Sequence, residues 1–149
     1  MSKFTFMHIG MTVLDLDKMT DFYVKYLGFL PPERTGRFDE NFIAGAPTLY
    51  RQPQGVYSDS RMLKTEYDLT LELFRFSNVE QSPLSEWHKT GYHHISIKVD
   101  DVASMCEEMR KDGIQLFYEP RALRDGAAHM VFFQDPEGNM IEIWDGNTP

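Results

Sequence analysis

Cysteine is almost absent from this sequence, with Cys106 standing alone among 149 residues. A single thiol cannot close an internal disulfide, so packing must hold the fold, and the reducing cytoplasm is the expected compartment. Long apolar runs are missing too. No stretch approaches the roughly 20 residues needed to span a bilayer. The opening MSKFTFMHIG has neither the apolar core nor the small-residue cleavage site of a secretory signal. Positive charge is also scarce: Lys+Arg 15 against Asp+Glu 23 gives a formal net charge of -8. Such a surface repels phosphate backbones and anionic lipid, so neither nucleic acid nor membrane is an expected partner.

What is present is a globular composition, 42% hydrophobic and 26% charged, with enough chain to bury about two thirds of its unfolded surface. The chain also repeats itself. MHIGMTV and HHISIKV are short β-rich runs, and each leads through acidic residues (LDLDK, DDVAS) into an amphipathic stretch. Met19, Phe22, Tyr23, Tyr26 and Leu27 fall at helical spacing before Gly28, and Val102, Met105, Cys106 and Met109 do so before Gly113. Asp15 and Asp17, or Asp100 and Asp101, suit the positive end of each helix. The first half continues with a predicted strand near 29–34, a loop or single helical turn over 38–46, an irregular PTLYRQPQGVY, and a hairpin of SRMLKTE and DLTLELFRF. In the second half IQLFYE, AAHMVFFQ and MIEIWD read as strands, with DPEGN as a turn. QSPLSEWHKTG reads as a link, and GNTP as a tail that frays.

Strand alternation gives the sharpest expectation, because successive side chains face opposite sides of a sheet. Ile9, Met11 and Val13 suit packing beneath a helix, which leaves His8, Gly10 and Thr12 opposite. Ile95, Ile97 and Val99 do likewise and leave His94, Ser96 and Lys98. Leu69, Leu71 and Leu73 put Thr70, Glu72, Phe74 and Phe76 on the other face, and Ile141 and Ile143 do the same for Met140, Glu142 and Trp144. A carboxylate flanked by leucines or isoleucines is costly to bury without a cation or hydrogen bonds. Two imidazoles and two carboxylates, His8, Glu72, His94 and Glu142, would hold one divalent ion, and the donor set suits nickel, zinc, cobalt, manganese or iron(II).

Met7 to Val13, LELFRF, GYHHISIKVDDV and FFQDPEGNMIEIW resemble, at corresponding places, the vicinal-oxygen-chelate superfamily, which includes glyoxalase I, methylmalonyl-CoA epimerase and extradiol dioxygenases. The resemblance runs from about Phe4 to Asp145. It implies an α+β fold of two βαβββ modules, 1–80 and 92–149 joined by a link at 81–91. Their curved mixed sheet would form a cup, with helices on its outer face. It implies that His8, Glu72, His94 and Glu142 occupy the family's ligand places. The expected activity is that of a glyoxalase-like lyase or isomerase on a small oxygen-chelating substrate, through a metal-stabilised enediolate, with Glu142 or Glu72 moving the proton. Bacterial glyoxalase I enzymes hold glutathione's glycyl carboxylate with an arginine four places after the first histidine ligand and an asparagine four places after the first glutamate ligand. Here those places are Thr12 and Phe76, so the metal chemistry carries over and the thiol does not. The epimerase usually has glutamine where Glu72 stands. Three further readings are an iron(II) extradiol-type dioxygenase on His8, His94 and Glu142, a metal-dependent epimerase, and a metal-free antibiotic-binding protein. A homodimer is expected, and the cup is built from modules of one chain or of two.

A strand histidine is, by itself, more often structural than a ligand; the repeat is what sets these four residues apart. His93 is expected toward the helix, His88 on linker surface, and Cys106 and the methionines in packing. Phe74, Phe76, Trp144, His129 and Arg61 are the expected substrate contacts, although AAHMVFF leaves open which face His129 takes. Tyr50, Arg51 and Tyr57 lie in or beside the irregular stretch, where a covering loop or a merely solvated one would both fit.

Overall fold

The computed structural model describes residues 5–83 and 86–146, except the side chain of Arg124. Phe4, residues 84 and 85 of the expected link, and the tail from 147 lie outside the described residues. The chain divides into two compact units, Met1–Ser82 and Pro83–Pro149.

In the first unit, strand β1 (Ile9–Thr12) leads into helix α1 (Leu16–Tyr26), followed by β2 (Thr35–Phe38), the short helices α2 (Glu40–Ala44) and α3 (Pro47–Tyr50), and the hairpin β3 (Ser58–Lys64) and β4 (Thr70–Phe76). Asp15 caps α1 by accepting from the backbone N–H groups of Asp17 and Lys18, both at 3.0 Å. Gly28, at φ 70°, supplies the left-handed turn that ends the helix. The sheet order is β1-β4-β3-β2. β1 runs parallel to β4 and the other pairs are antiparallel. Met19, Tyr23, Leu63, Leu71 and Leu73, none more than 1% exposed, form the core between α1 and one sheet face. Each such side chain contributes about 1.5–3 kcal/mol by leaving water.

The second unit repeats this plan: β5 (His94–Lys98), α4 (Val102–Lys111), β6 (Arg121–Leu123), β7 (Ala128–Gln134) and β8 (Met140–Trp144), in the order β5-β8-β7-β6. Asp101 caps α4 through the Ser104 N–H and hydroxyl, and Gly113 closes the helix at φ 78°. Val102, Cys106, Met109, Val131, Phe133, Ile141 and Ile143 are fully buried. Burial pushes the Cys106 thiol up in pKa, as befits a packing residue. Two four-stranded mixed sheets with helices make the chain α+β, in two βαβββ modules. Among the described residues no helix is long and apolar enough to cross a membrane.

Three details differ from the sequence expectation. The strand predicted over 29–34 is a single bridge from Phe29 to Thr65, because Pro31 and Pro32 have no N–H to donate to a ladder; the strand forms instead at Thr35–Phe38. Within the stretch read as irregular, Pro47 opens the helical turn α3, a position where its missing N–H costs nothing. IQLFYE likewise reduces to one bridge, Leu116 to Phe133, and β6 starts directly after Pro120.

Candidate metal centre

Each unit brings one imidazole and one carboxylate together on the sheet face opposite its helix. In the first, Leu71 and Leu73 are buried against the core, which turns Glu72 the other way, beside Gly10 of β1 and Met62 of β3. His8, just ahead of β1, has Nε2 3.3 Å from Glu72 Oε2, with the carboxylate side chain only 12% exposed. In the second, Ile141 and Ile143 are buried and Glu142 turns away, beside Ser96 of β5 and Phe132 of β7. His94 Nε2 lies 3.6 Å from Glu142 Oε2, and that carboxylate side chain is 16% exposed. Gly10 and Ser96 thus occupy equivalent register positions beside the two glutamates, and both are small.

Both separations exceed the ~2.7–2.9 Å of a charge-assisted hydrogen bond. They are close to the ~3.0–3.4 Å that separates two donors each bound about 2.1 Å from a common ion. Mostly buried carboxylates facing an imidazole at that spacing fit as adjacent metal ligands. Among the described residues no group of three or more His, Cys, Asp or Glu is placed to hold an ion, so the units offer pairs.

Of the expected substrate contacts, Phe74 and Phe76 share the face of Glu72, and Trp144 shares that of Glu142. Tyr50 reaches the first group, its ring 6.2 Å from Phe76. The structure takes Arg61 and His129 elsewhere. Arg61 pairs in register with Leu73 on the helix side and donates to the Leu16 carbonyl and the Thr20 and Thr35 hydroxyls, with an ion pair to Asp17. It ties β3 to the start of α1. His129 shares a face with Val131, which pairs with Ile143, so it also lies on the helix side. Its backbone N–H donates to Asp145 Oδ1, and its Nδ1 lies 3.3 Å from Oδ2. Asp145 also accepts from the Val102 N–H at 3.2 Å, joining β7 to the start of α4. Burial pushes the Asp145 carboxyl up, but hydrogen bonds from the His129 and Val102 N–H groups and the nearby imidazole outweigh it and hold the carboxyl below the usual range. His93 accepts no metal-site role either: it stacks on Trp87 and its Nε2 meets the Lys89 carbonyl at 2.9 Å. His88 pairs with Glu86 on an exposed surface.

Sequence reasoning missed Phe132, Trp87 and Tyr118. Phe132 meets the His94 ring edge-on at 5.0 Å, and Trp87 lies 5.3 Å from the same imidazole. Tyr118 packs 6.4 Å from Phe132; burial, aided by the charge of Glu142 and opposed by Arg121, raises its hydroxyl pKa and keeps it protonated. Counting back across the DPEGN turn, from Met140 opposite Gln134, would have put Phe132 beside Glu142.

The family model of the Glyoxalase/Bleomycin resistance protein/Dioxygenase superfamily matches residues 5–143. The chain belongs to this superfamily. Its similar relatives include a probable lactoylglutathione lyase of Vibrio cholerae, 27% identical over 96% of this chain and 91% of that protein, and the lactoylglutathione lyase of Neisseria meningitidis, 26% identical over 92% and 87%. Among solved structures, a glyoxalase family protein from Bacillus cereus matches with a TM-score of 0.78 at 18% identity, covering 97% of both chains, a likeness of fold. A glyoxalase I of Leishmania major, described as trypanothione-dependent, matches at 0.67 and 25% identity, covering 95% of this chain and 86% of that one. Enzymes of the glyoxalase type generally use a divalent metal and act on small molecules, while the superfamily also holds dioxygenases and resistance proteins.

Proposed function

We propose that this superfamily member is a metal-dependent lyase or isomerase of the glyoxalase type, with one divalent ion held by His8, Glu72, His94 and Glu142. The observation that carries the reading is the duplicated pair: each unit sets an imidazole Nε2 3.3 or 3.6 Å from a mostly buried carboxylate, at matching register. The relatives named lactoylglutathione lyase support the reaction class at 26–27% identity.

When bound, the ion would polarise adjacent oxygens of a substrate and so acidify the carbon beside its carbonyl. The chain's own groups then have distinct tasks. Glu142 or Glu72 takes the proton from that carbon and returns it to the neighbouring one. The imidazoles of His8 and His94 would serve as ligands through Nε2, each already facing its carboxylate. Phe132 and Trp87 pack against the His94 ring and limit its orientation. Thr12 and Phe76 give the Glu72 face no cation for a glycyl carboxylate, so glutathione itself is not the expected thiol. The homodimer expected from the sequence is retained in this reading.

The test is turnover by the metal-reconstituted chain of the hemithioacetals that methylglyoxal forms with a range of thiols, alongside oxygen uptake with catechol. Metal-dependent isomerisation without oxygen consumption is expected, falling about 100-fold or more in Glu142→Gln or Glu72→Gln according to which residue is the base. Oxygen uptake with catechol that survives Glu72→Gln would instead establish the two-histidine, one-carboxylate iron(II) reading.

A further inference from the structure

The duplicated plan allows the two helix starts to be compared residue by residue. The Val13 N–H donates to the Phe74 carbonyl at 2.7 Å, and the Val99 N–H to the Trp144 carbonyl at 2.8 Å. The residues that follow therefore correspond: Asp15 with Asp101 as N-caps, Leu16 with Val102 as first helical residues, and Arg75 with Asp145 on the helix side of the sheet. In the second unit the Asp145 carboxylate reaches the helix start, accepting from the Val102 N–H at 3.2 Å. The first unit has no such carboxylate. An arginine stands in its place, and among the described residues the Leu16 N–H makes no hydrogen bond. Arg75 donates only through Nε, to the Leu14 carbonyl at 3.1 Å, which leaves both terminal amino groups uncommitted among the described residues.

A cavity of about 330 Å³ opens at this place, bounded by Asp15, Leu16 and Asp17 at the start of α1 and by Asp59, Arg61 and Arg75 of the sheet. Arg75 alternates with the buried Leu71 and Leu73, so the cavity lies on the face away from His8 and Glu72. Its other charged side chains are engaged. Asp59 accepts from Arg37 Nε and Nη2 at 2.6 and 3.0 Å, Asp17 is in an ion pair with Arg61, and Asp15 accepts from the Asp17 and Lys18 N–H groups. That leaves the Arg75 guanidinium without a partner carboxylate.

We propose that this cavity binds a small organic carboxylate, whose oxygens take the Leu16 N–H and the terminal N–H groups of Arg75. The ligand fills in the first unit the place that Asp145 fills in the second, and it joins β4 to the start of α1 in the same way. The positive end of α1 and the planar fork of Arg75 both favour a carboxylate there. The volume, at the low end of the roughly 300–1,000 Å³ of ligand pockets, suits a small acid. The inference is independent of the metal reading, because every residue it uses lies in one unit and on the opposite face of its sheet.

The experiment titrates acetate, succinate and inorganic phosphate into the isotope-labelled, zinc-reconstituted full chain at constant ionic strength, with chloride as the reference anion. NMR follows the Leu16 amide and the Arg75 Nε–H, signals that a carboxylate bound at the metal would not move. Acetate or succinate is expected to shift both saturably and chloride neither. The affinity should fall about tenfold or more in Arg75→Met, which removes a charge-assisted bond at an exposed position without touching the core. Arg75→Lys keeps the charge without the fork and should lose less. No saturable shift at Leu16 with either acid overturns the inference. So does a response shared by chloride, a response to phosphate alone, or an affinity unchanged in Arg75→Met.

Discussion

Asp145 shows how one mostly buried carboxylate, its side chain 13% exposed, holds two elements together. It accepts from the N–H groups of Val102 and His129, and its pKa is held below the ordinary 3.8 despite burial. A depressed folded value means the stabilisation is complete above that ordinary value and is lost as pH falls below it. Asp145→Ala should therefore cost about 1–3 kcal/mol at pH 7 by stranding two donors. Urea denaturation should show the gap from the parent chain narrowing near pH 3; a gap independent of pH would contradict the assignment. The same residue explains why His129 was ambiguous in the sequence. AAHMVFF alternates apolar residues on both faces, and only the pairing of Val131 with Ile143 decides the matter. Arg61 was illegible for a related reason: β3 reads SDSRMLK, with too few apolar residues to announce a face, and its partner Asp17 is 44 positions away.

At the scale of the element, the strands that carry the site were legible because their apolar halves are unbroken. Leu71 and Leu73, or Ile141 and Ile143, fix the opposite face for Glu72 and Glu142 with no structure in hand. Ile143→Ala should thus cost about 2–5 kcal/mol by leaving a cavity under α4, measured as a lower denaturant midpoint at unchanged slope. A cost under about 1 kcal/mol would mean that β8 is not anchored as described. The helices were legible from spacing and caps, Asp15 and Asp101 at their starts and Gly28 and Gly113 at their ends. The short edge strands were not. Prolines at 31, 32 and 120 displace β2 and β6 from where β-propensity alone would set them.

For the molecule as a whole, duplication is the organising fact. Two units of the same strand order each present a histidine at the start of the edge strand, His8 just ahead of β1 and His94 first in β5, and a glutamate from the strand beside it, and neither pair alone gives an ion enough donors. The proposed site needs both. The most direct measurement is elemental analysis of the chain after reconstitution with a divalent metal and exhaustive dialysis, together with Glu72→Gln and Glu142→Gln. One tightly held ion per chain is expected, with affinity falling steeply in both variants. A chain that retains no ion, or one that keeps it undiminished when either glutamate is replaced, would contradict a centre built from all four residues.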